Sequence, residues 1–299
     1  MSEISAKTVM ELRAKTNAGM MDCKKALAES GGDMDKAEDI LRKKGIARMG
    51  GRTDRVSKEG TVNALLSGDG TTGVLVEVNC ETDFVSKNEG FRNFVGDITT
   101  HILGSSAADL AALLAEPYTG GGKPGSVDET VKAKGAETGE NTVIRRFARF
   151  TADASSAVAT YLHLGGRIGV MVEVTTGKDE TRNADAFKLL LKDLTMHIAA
   201  ANPEYLVRSE VPAEAVAKEK AIYADSDRLK GKPPAAMEGI LNGMLNKFYS
   251  TICLTEQGFI KNPDQNIADL VKATGTALGD TLTIKRFARF AVGEELKPA

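Results

Sequence analysis

Along this chain, alternating apolar and polar positions give way to helical spacing at matching points in two stretches. Residues 60–67 and 72–79 are β-branched, apolar runs joined by Ser67-Gly-Asp-Gly70, a sequence suited to a tight hairpin turn. Beyond them Phe91, Phe94, Val95, Ile98 and Ile102 recur at the 3- and 4-residue steps of one helix face. Ser86 and Glu89 have the spacing of a capping box and are expected to open that helix. An irregular stretch with the loop Gly120-Gly-Gly-Lys-Pro-Gly125 follows, and residues 142–151 close the unit as a strand.

The unit is repeated. A shift of 96 residues lays Gly73-Val-Leu-Val-Glu-Val78 on Gly169-Val-Met-Val-Glu-Val174, and Phe91, Asp97, Thr99, His101 and Ile102 on Phe187, Asp193, Thr195, His197 and Ile198. A shift of 140 lays Ile144-Arg-Arg-Phe-Ala-Arg-Phe150 on Ile284-Lys-Arg-Phe-Ala-Arg-Phe290, so the second copy carries an insertion of 44 residues. The second copy predicts strands near 156–164, 167–175 and 281–291 and a helix near 183–200. Hairpins beside helices predict an α+β fold: two duplicated subdomains, each an antiparallel sheet with helices on one face.

Within the insertion, Pro212 suits a helix start and Gly231-Lys-Pro-Pro234 forces a break. Met237, Ile240, Leu241, Met244, Leu245 and Phe248 then form one apolar stripe. A helical hairpin over about 209–250, a small coiled coil, is expected; its stripe either seals the two helices or meets a partner. Residues 1–47 predict three short helices, near 5–15, 20–29 and 34–44, with Asp33 capping the third. Val9, Leu12, Leu27, Ala37, Ile40 and Leu41 can form their core. The expected plan is therefore a three-helix domain 1–47, a linker 48–58, subdomains 59–151 and 152–292, and a tail 293–299.

Composition narrows the function classes. Thirty-nine basic and 41 acidic residues, with 5% aromatics and no tryptophan, argue against a dedicated nucleic-acid binder. The basic run over 42–58 reads as a solvated linker or as an RNA contact, and Arg145, Arg146, Arg149, Lys285, Arg286 and Arg289 form the competing nucleic-acid surface. The N-terminal MSEISAKTVMELR lacks a secretory apolar core, and no run of about 18 apolar residues occurs, so a cytosolic protein away from membranes is expected. Cys23, Cys80 and Cys253 are few and far apart, with neither a disulfide framework nor zinc spacing. Phosphate-loop and dinucleotide glycine patterns are absent, so no cofactor and no metal site are expected. His101 and His197 read as hydrogen-bonded structural histidines, and Cys80 beside Glu81 and Asp83 as a thiol with a raised pKa. No catalytic constellation emerges, which favours a binding protein over an enzyme.

One connection stands out. Between strand 72–79 and the following helix lies Thr82-Asp83-Phe84-Val85; at the 96 shift Asp83 falls on Asp179, but Phe84 falls on Glu180 and Val85 on Thr181. The fold thus does not require an aromatic there. Phe84 either caps the core like a hydrophobic staple or is presented to a partner.

Thr16-Asn-Ala-Gly-Met-Met-Asp-Cys-Lys-Lys-Ala-Leu27, Glu77-Val-Asn-Cys-Glu-Thr-Asp-Phe-Val85 and His163-Leu-Gly-Gly-Arg-Ile-Gly-Val170 closely resemble the bacterial elongation factor Ts family, in order and over nearly the whole chain. That resemblance implies a ubiquitin-associated-like first domain and a coiled-coil insertion. It also implies guanine-nucleotide exchange on elongation factor Tu, bound in its GDP and nucleotide-free states. On this reading Thr82, Asp83, Phe84 and Val85 disturb the site of the nucleotide-bound magnesium, while Leu12, Met20 and Met21 grip the GTPase domain. Those three also fit a plain helix-packing role. His163 is a further, weaker contact candidate. Two departures are visible: Asn17 replaces a glycine common in the first motif, and the chain stops soon after Val292-Gly-Glu-Glu-Leu, where some relatives continue into another helix.

Overall fold

The structure, a computed structural model, describes residues 4–16, 18–49, 55–120, 125–226 and 233–296. Three helices come first: α1 (Ala6–Thr16), α2 (Met20–Glu29) and α3 (Met34–Met49). Asp33 caps α3, its Oδ1 accepting from the backbone N–H of Asp35 and Lys36 at 3.1 Å each. Val9, Leu12, Cys23, Ala26, Leu27, Ala37 and Leu41 form their core, with Ile40 packed at its edge. α3 continues to Met49, two residues into the stretch read as a linker; Asn17 and residues 50–54 lie outside the described residues.

The first sheet contains β1 (Glu59–Leu66), β2 (Thr72–Cys80) and β3 (Val143–Thr151), antiparallel in that order. Between β2 and β3 run α4 (Asp83–Lys87), α5 (Glu89–Gly104), α6 (Leu110–Ala115) and α7 (Val127–Thr138). The second sheet holds β4 (Ser156–His163), β5 (Ile168–Thr176) and a closing strand Leu282–Ala291. Its connection includes a 3₁₀ turn Asp179–Asn183, then α8 (Asp185–Ala201), α9 (Ala213–Ala224) and α10 (Pro234–Ile252). The short strands β6 (Gly258–Phe259) and β7 (Asn262–Asn266) and helix α11 (Ile267–Leu278) complete it, and the closing strand is β8. This is the α+β plan the sequence predicts. The two copies share even a bulge: Glu77 pairs with Arg146 but Val78 with Ile144, and Glu173 pairs with Arg286 but Val174 with Ile284.

Each sheet buries one face under its own helices. Val74, Val76 and Val78 meet Phe91, Ile98 and Ile102 of α5, and Val170, Val172 and Val174 meet Phe187, Leu194 and Ile198 of α8. The opposite faces meet each other through Val62, Leu75 and Phe150 from one sheet and Val158 and Met171 from the other. Equivalent glycines set the spacing. A Cβ on Gly169 would lie 2.4 Å from Val62 Cγ1 and 2.6 Å from Leu75 Cδ1, and one on Gly73 would lie 2.6 Å from Val158 Cγ1.

Helices α9 and α10 pack together in the insertion. Along the stripe of α10, Leu245 is buried and Met237, Ile240, Leu241, Met244 and Phe248 are half-buried; of the break at 231–234, residues 231 and 232 lie outside the described residues and α10 starts at Pro234. One expectation is corrected. Ser86 does not open α5, because the chain first makes the extra helix α4, inside which Ser86 is buried with its hydroxyl donating to the Asp83 carbonyl at 3.0 Å. Asn88 caps α5 instead, its Oδ1 accepting from Phe91 N at 3.2 Å.

Gly169→Ala is expected to destabilise the chain by about 1–3 kcal/mol through overpacking, measured by chemical denaturation. Combining it with Leu75→Ala should cost less than the sum of the two single changes, because the second removes one of the two colliding methyls.

Candidate functional site

The connection after β2 is the first turn of a helix. Thr82 is the N-cap of α4, with extended backbone and its Oγ1 accepting from Val85 N at 3.4 Å. Asp83 follows in the first turn, where its charge suits the helix dipole, and Lys87 Nζ reaches its carboxylate at 2.6 Å. That hydrogen bond holds the Asp83 carboxyl below the usual carboxylate range. Val85 turns inward against the core of the first sheet. Phe84 turns outward and is 84% exposed, the most exposed of the large apolar side chains among the described residues.

The turn is held from beneath by a carboxylate far away in sequence. Glu140 Oε2 accepts from the backbone N–H of Glu81 and of Thr82, both at 3.0 Å, and Thr82 Oγ1 donates to Glu140 Oε1 at 2.5 Å. Glu81 Oε1 returns the link by accepting from Asn141 N at 2.7 Å, and Asn141 Nδ2 donates to the Arg55 carbonyl at 3.0 Å. Glu140 follows α7 directly: Gly139, at φ 77°, ends that helix in the left-handed conformation that favours glycine. Cys80 lies in the same wall, its thiol donating to the Thr82 carbonyl at 3.2 Å. Burial pushes this thiol up to about 12, and the Glu140 carboxylate adds to the effect. The direction matches the sequence expectation, but the causes are burial and Glu140 rather than Glu81 and Asp83.

The second copy has the same clamp. Asp280, which falls on Glu140 at the 140 shift, accepts from Gly177 N at 2.9 Å, Lys178 N at 3.1 Å and Thr181 Oγ1 at 2.5 Å. Gly177 and Lys178 are the counterparts of Glu81 and Thr82. The hydroxyl donor is Thr181, the counterpart of Val85, in place of Thr82, and the turn presents another residue: exposed Glu180 stands where Phe84 stands. Glu140, Glu81, Asn141 and Arg55 were missed in the sequence. The signal available was the acid following a helix-ending glycine in both copies, Gly139-Glu140 and Gly279-Asp280.

The other candidates lie on other elements. Met20 and Met21, at the start of α2, are 48% and 64% exposed, and Met20 lines an open groove of about 1080 Å³ between the three-helix unit and α7. Leu12 is fully buried among Val9, Cys23 and Leu27, so in this state it backs the methionine-bearing surface instead of touching a partner. That is the helix-packing role its periodicity also allowed. His163 is half-buried at the end of the β4–β5 hairpin, its Nδ1 3.0 Å from the Tyr161 hydroxyl, next to exposed Leu164.

The basic strand residues are engaged by carboxylates and carbonyls of the fold, Lys285 and Arg286 while still exposed. Arg146 Nε and Arg145 Nη1 donate to Glu77 at 2.7 and 3.1 Å, and Arg286 Nε and Lys285 Nζ to Glu173 at 2.6 and 2.9 Å. Arg289 donates to the Ala199 carbonyl and Glu294, and Arg149 Nη1 is buried. Pairing with Glu77 and Glu173 offsets the charge of Arg145, Arg146, Lys285 and Arg286, which weakens the nucleic-acid reading. His197 donates from Nε2 to Gln257 Oε1 at 3.0 Å and accepts from Ile260 N at Nδ1, while His101 Nδ1 lies 2.9 Å from Thr119 Oγ1. Burial lowers the His197 pKa, as befits a neutral structural imidazole. Among the described residues no cluster of His, Cys, Asp and Glu could hold a metal ion, and no helix is long and apolar enough to cross a membrane.

Sequence comparison with known proteins gives the family. The sequence profile of the family described as Elongation factor TS matches residues 81–294, beginning at the clamped turn. A protein named Elongation factor Ts from Trichlorobacter lovleyi is 44% identical over 294 residues, covering 98% of this chain and 94% of its own length. One of the same name from Syntrophotalea carbinolica is 44% identical over 295 residues, covering 99% of this chain and 95% of its own length. A third, from Bdellovibrio bacteriovorus, is 42% identical over 290 residues, covering 97% and 92%. The family match and the near full-length identity together place the chain in the elongation factor Ts family of translation elongation factors.

Proposed function

We propose that this chain is a guanine-nucleotide exchange factor for elongation factor Tu, and that Phe84 with Thr82, Asp83 and Val85 is the element that disturbs Tu's magnesium and phosphate site. The observation that carries the reading is the exposure of Phe84 on a turn whose entering backbone is pinned by Glu140. A rigid aromatic anchor spends little conformational entropy on binding, and such residues dominate interface energetics. Glu180 at the equivalent place in the second copy supports a role for Phe84 beyond folding.

The physics of exchange is linkage. A partner that binds the distorted, nucleotide-free Tu more tightly than the GDP-bound form must weaken GDP binding by the same free energy. Phe84 entering beside the phosphate site would displace the loops that hold Mg²⁺, GDP would leave, and GTP would rebind. No covalent bond changes, so the chain acts as a binding protein that accelerates release. Met20 and Met21 would supply a second grip, since flexible thioethers adapt well to a partner surface. Leu12 would act from below by holding α1 against α2, and His163 with Leu164 would add a contact from the second sheet.

Phe84→Ala is expected to change unfolding free energy by less than about 0.5 kcal/mol, since the side chain is largely solvated. It should slow catalysed GDP release roughly 30-fold, the equivalent of about 2 kcal/mol, in stopped-flow release of fluorescent GDP from Tu. An unchanged release rate with an unchanged melt would remove the proposal. Met20→Ala with Met21→Ala should weaken Tu binding about 10-fold in titration calorimetry while leaving the melt unchanged. Leu12→Ala should instead cost about 2–5 kcal/mol of stability in the three-helix unit, which hydrogen exchange of α1 and α2 would report.

A further inference from the structure

We propose that Glu140 is a positioning residue for exchange: its carboxylate fixes the direction in which Phe84 points and ties that direction to α7. This rests on the exchange function proposed above and assigns it a residue outside the exposed motif. The five residues of α4 could not by themselves hold an exposed aromatic at a fixed angle, because a helix this short is marginal without outside support. Glu140 supplies that support with three hydrogen bonds, to Glu81 N, Thr82 N and Thr82 Oγ1, from 58 or more residues away in sequence. Hydrogen bonds to an ionised carboxylate are stronger than neutral ones. Both donors on the main chain lie immediately before Asp83 and Phe84, so the carboxylate fixes the path by which the chain enters α4.

The same carboxylate connects two regions of the molecule. It follows Gly139 at the end of α7, and α7 is the helix against which α3 of the three-helix unit packs. Thr130, Ala133, Ala136 and Glu137 of α7 share the open groove with Met20. The seat of the three-helix unit and the Phe84 turn are thus joined through one side chain. Asp280 shows that the clamp is a property of the duplicated fold. In the first copy the carboxylate is one methylene longer and binds the N-cap hydroxyl of the helix that carries the aromatic.

The test is stopped-flow release of fluorescent GDP from Tu, with the full-length chain titrated to saturation and each variant melted in parallel. Glu140→Ala should lower the maximal release rate about 10-fold or more while the half-saturating concentration stays near wild type, because the grip by the three-helix unit is intact. Glu140→Gln keeps an oxygen for the two backbone N–H groups and should restore most of the rate. In the double variant Glu140→Ala with Phe84→Ala, release should be no slower than with Phe84→Ala alone, since the clamp acts only through that ring. Wild-type release by Glu140→Ala, or a full additional loss in the double variant, would overturn the positioning role. If Glu140→Ala fails to fold, Glu140→Asp withdraws the carboxylate by one methylene instead: slowed release with a normal melt supports the role and wild-type release overturns it. Phe84→Ala at the wild-type rate would remove the exchange function itself; Phe84→Ala slow with Glu140→Ala at the wild-type rate would overturn the positioning alone.

Discussion

Two glutamates buried between the sheets hold the duplicated fold to one geometry. Glu77 and Glu173 occupy equivalent positions on β2 and β5, both fully shielded from solvent. A lone carboxylate in such a place would be very costly, and breaking a buried pair typically costs about 3–5 kcal/mol. The shared bulge resolves the problem by letting two consecutive cations reach each carboxylate: Arg145 and Arg146 for Glu77, Lys285 and Arg286 for Glu173. Arg146 then lies 4.1 Å over the ring of Phe290, and Arg286 lies 4.1 Å over the ring of Phe150. Each copy's arginine rests on the other copy's phenylalanine. Neither sheet can slide or turn over without stranding charge, so the orientation of the two helical faces is set.

That fixed frame gives the Phe84 turn its meaning. β2, the central strand of the first sheet, carries Glu77 in the inter-sheet contact and three residues later delivers Cys80, Glu81 and Thr82 to the Glu140 clamp. The 292–294 segment closes the same region: Gly293 N donates to Glu77 Oε1 at 2.8 Å, and Arg146 Nη2 to Glu294 Oε1 at 2.6 Å. The outward ring therefore stands on a stiff strand, a pinned turn and a helix that supports the three-helix unit. A mobile loop bearing the same residues would lose much of its binding energy to ordering.

The duplication, the strand and helix order and the inward apolar faces were legible because they are periodic or self-similar: Gly73–Val78 against Gly169–Val174 and Ile144–Phe150 against Ile284–Phe290. The exposure of Phe84 was suggested by Glu180 at the equivalent position and by the resemblance of its motif, which left a staple on the core open until the geometry separated the two readings. Three things were illegible for physical reasons. Helix α4 is too short to leave a period, and its presence moved the cap from Ser86 to Asn88. Glu140 acts through hydrogen bonds that span nearly 60 residues of chain, and such pairings have no local pattern. The roles of the strand arginines depended on a bulge that sequence spacing alone does not announce, so charge read as a nucleic-acid surface turned out to be paired with buried carboxylates. Leu12 shows the limit of carrying a contact role over by resemblance, since its side chain is buried in the three-helix core.

The central claim is that one turn of a duplicated scaffold carries the exchange chemistry because an aromatic is presented there. The most direct measurement exchanges the two turns' outward residues in one chain, Phe84→Glu with Glu180→Phe, and follows fluorescent GDP release from Tu. Both positions are exposed, so the swapped chain should fold and melt as wild type does. The account predicts that it binds Tu yet fails to accelerate release, because the ring now stands on the wrong copy. Release at the wild-type rate by the swapped chain would contradict the account.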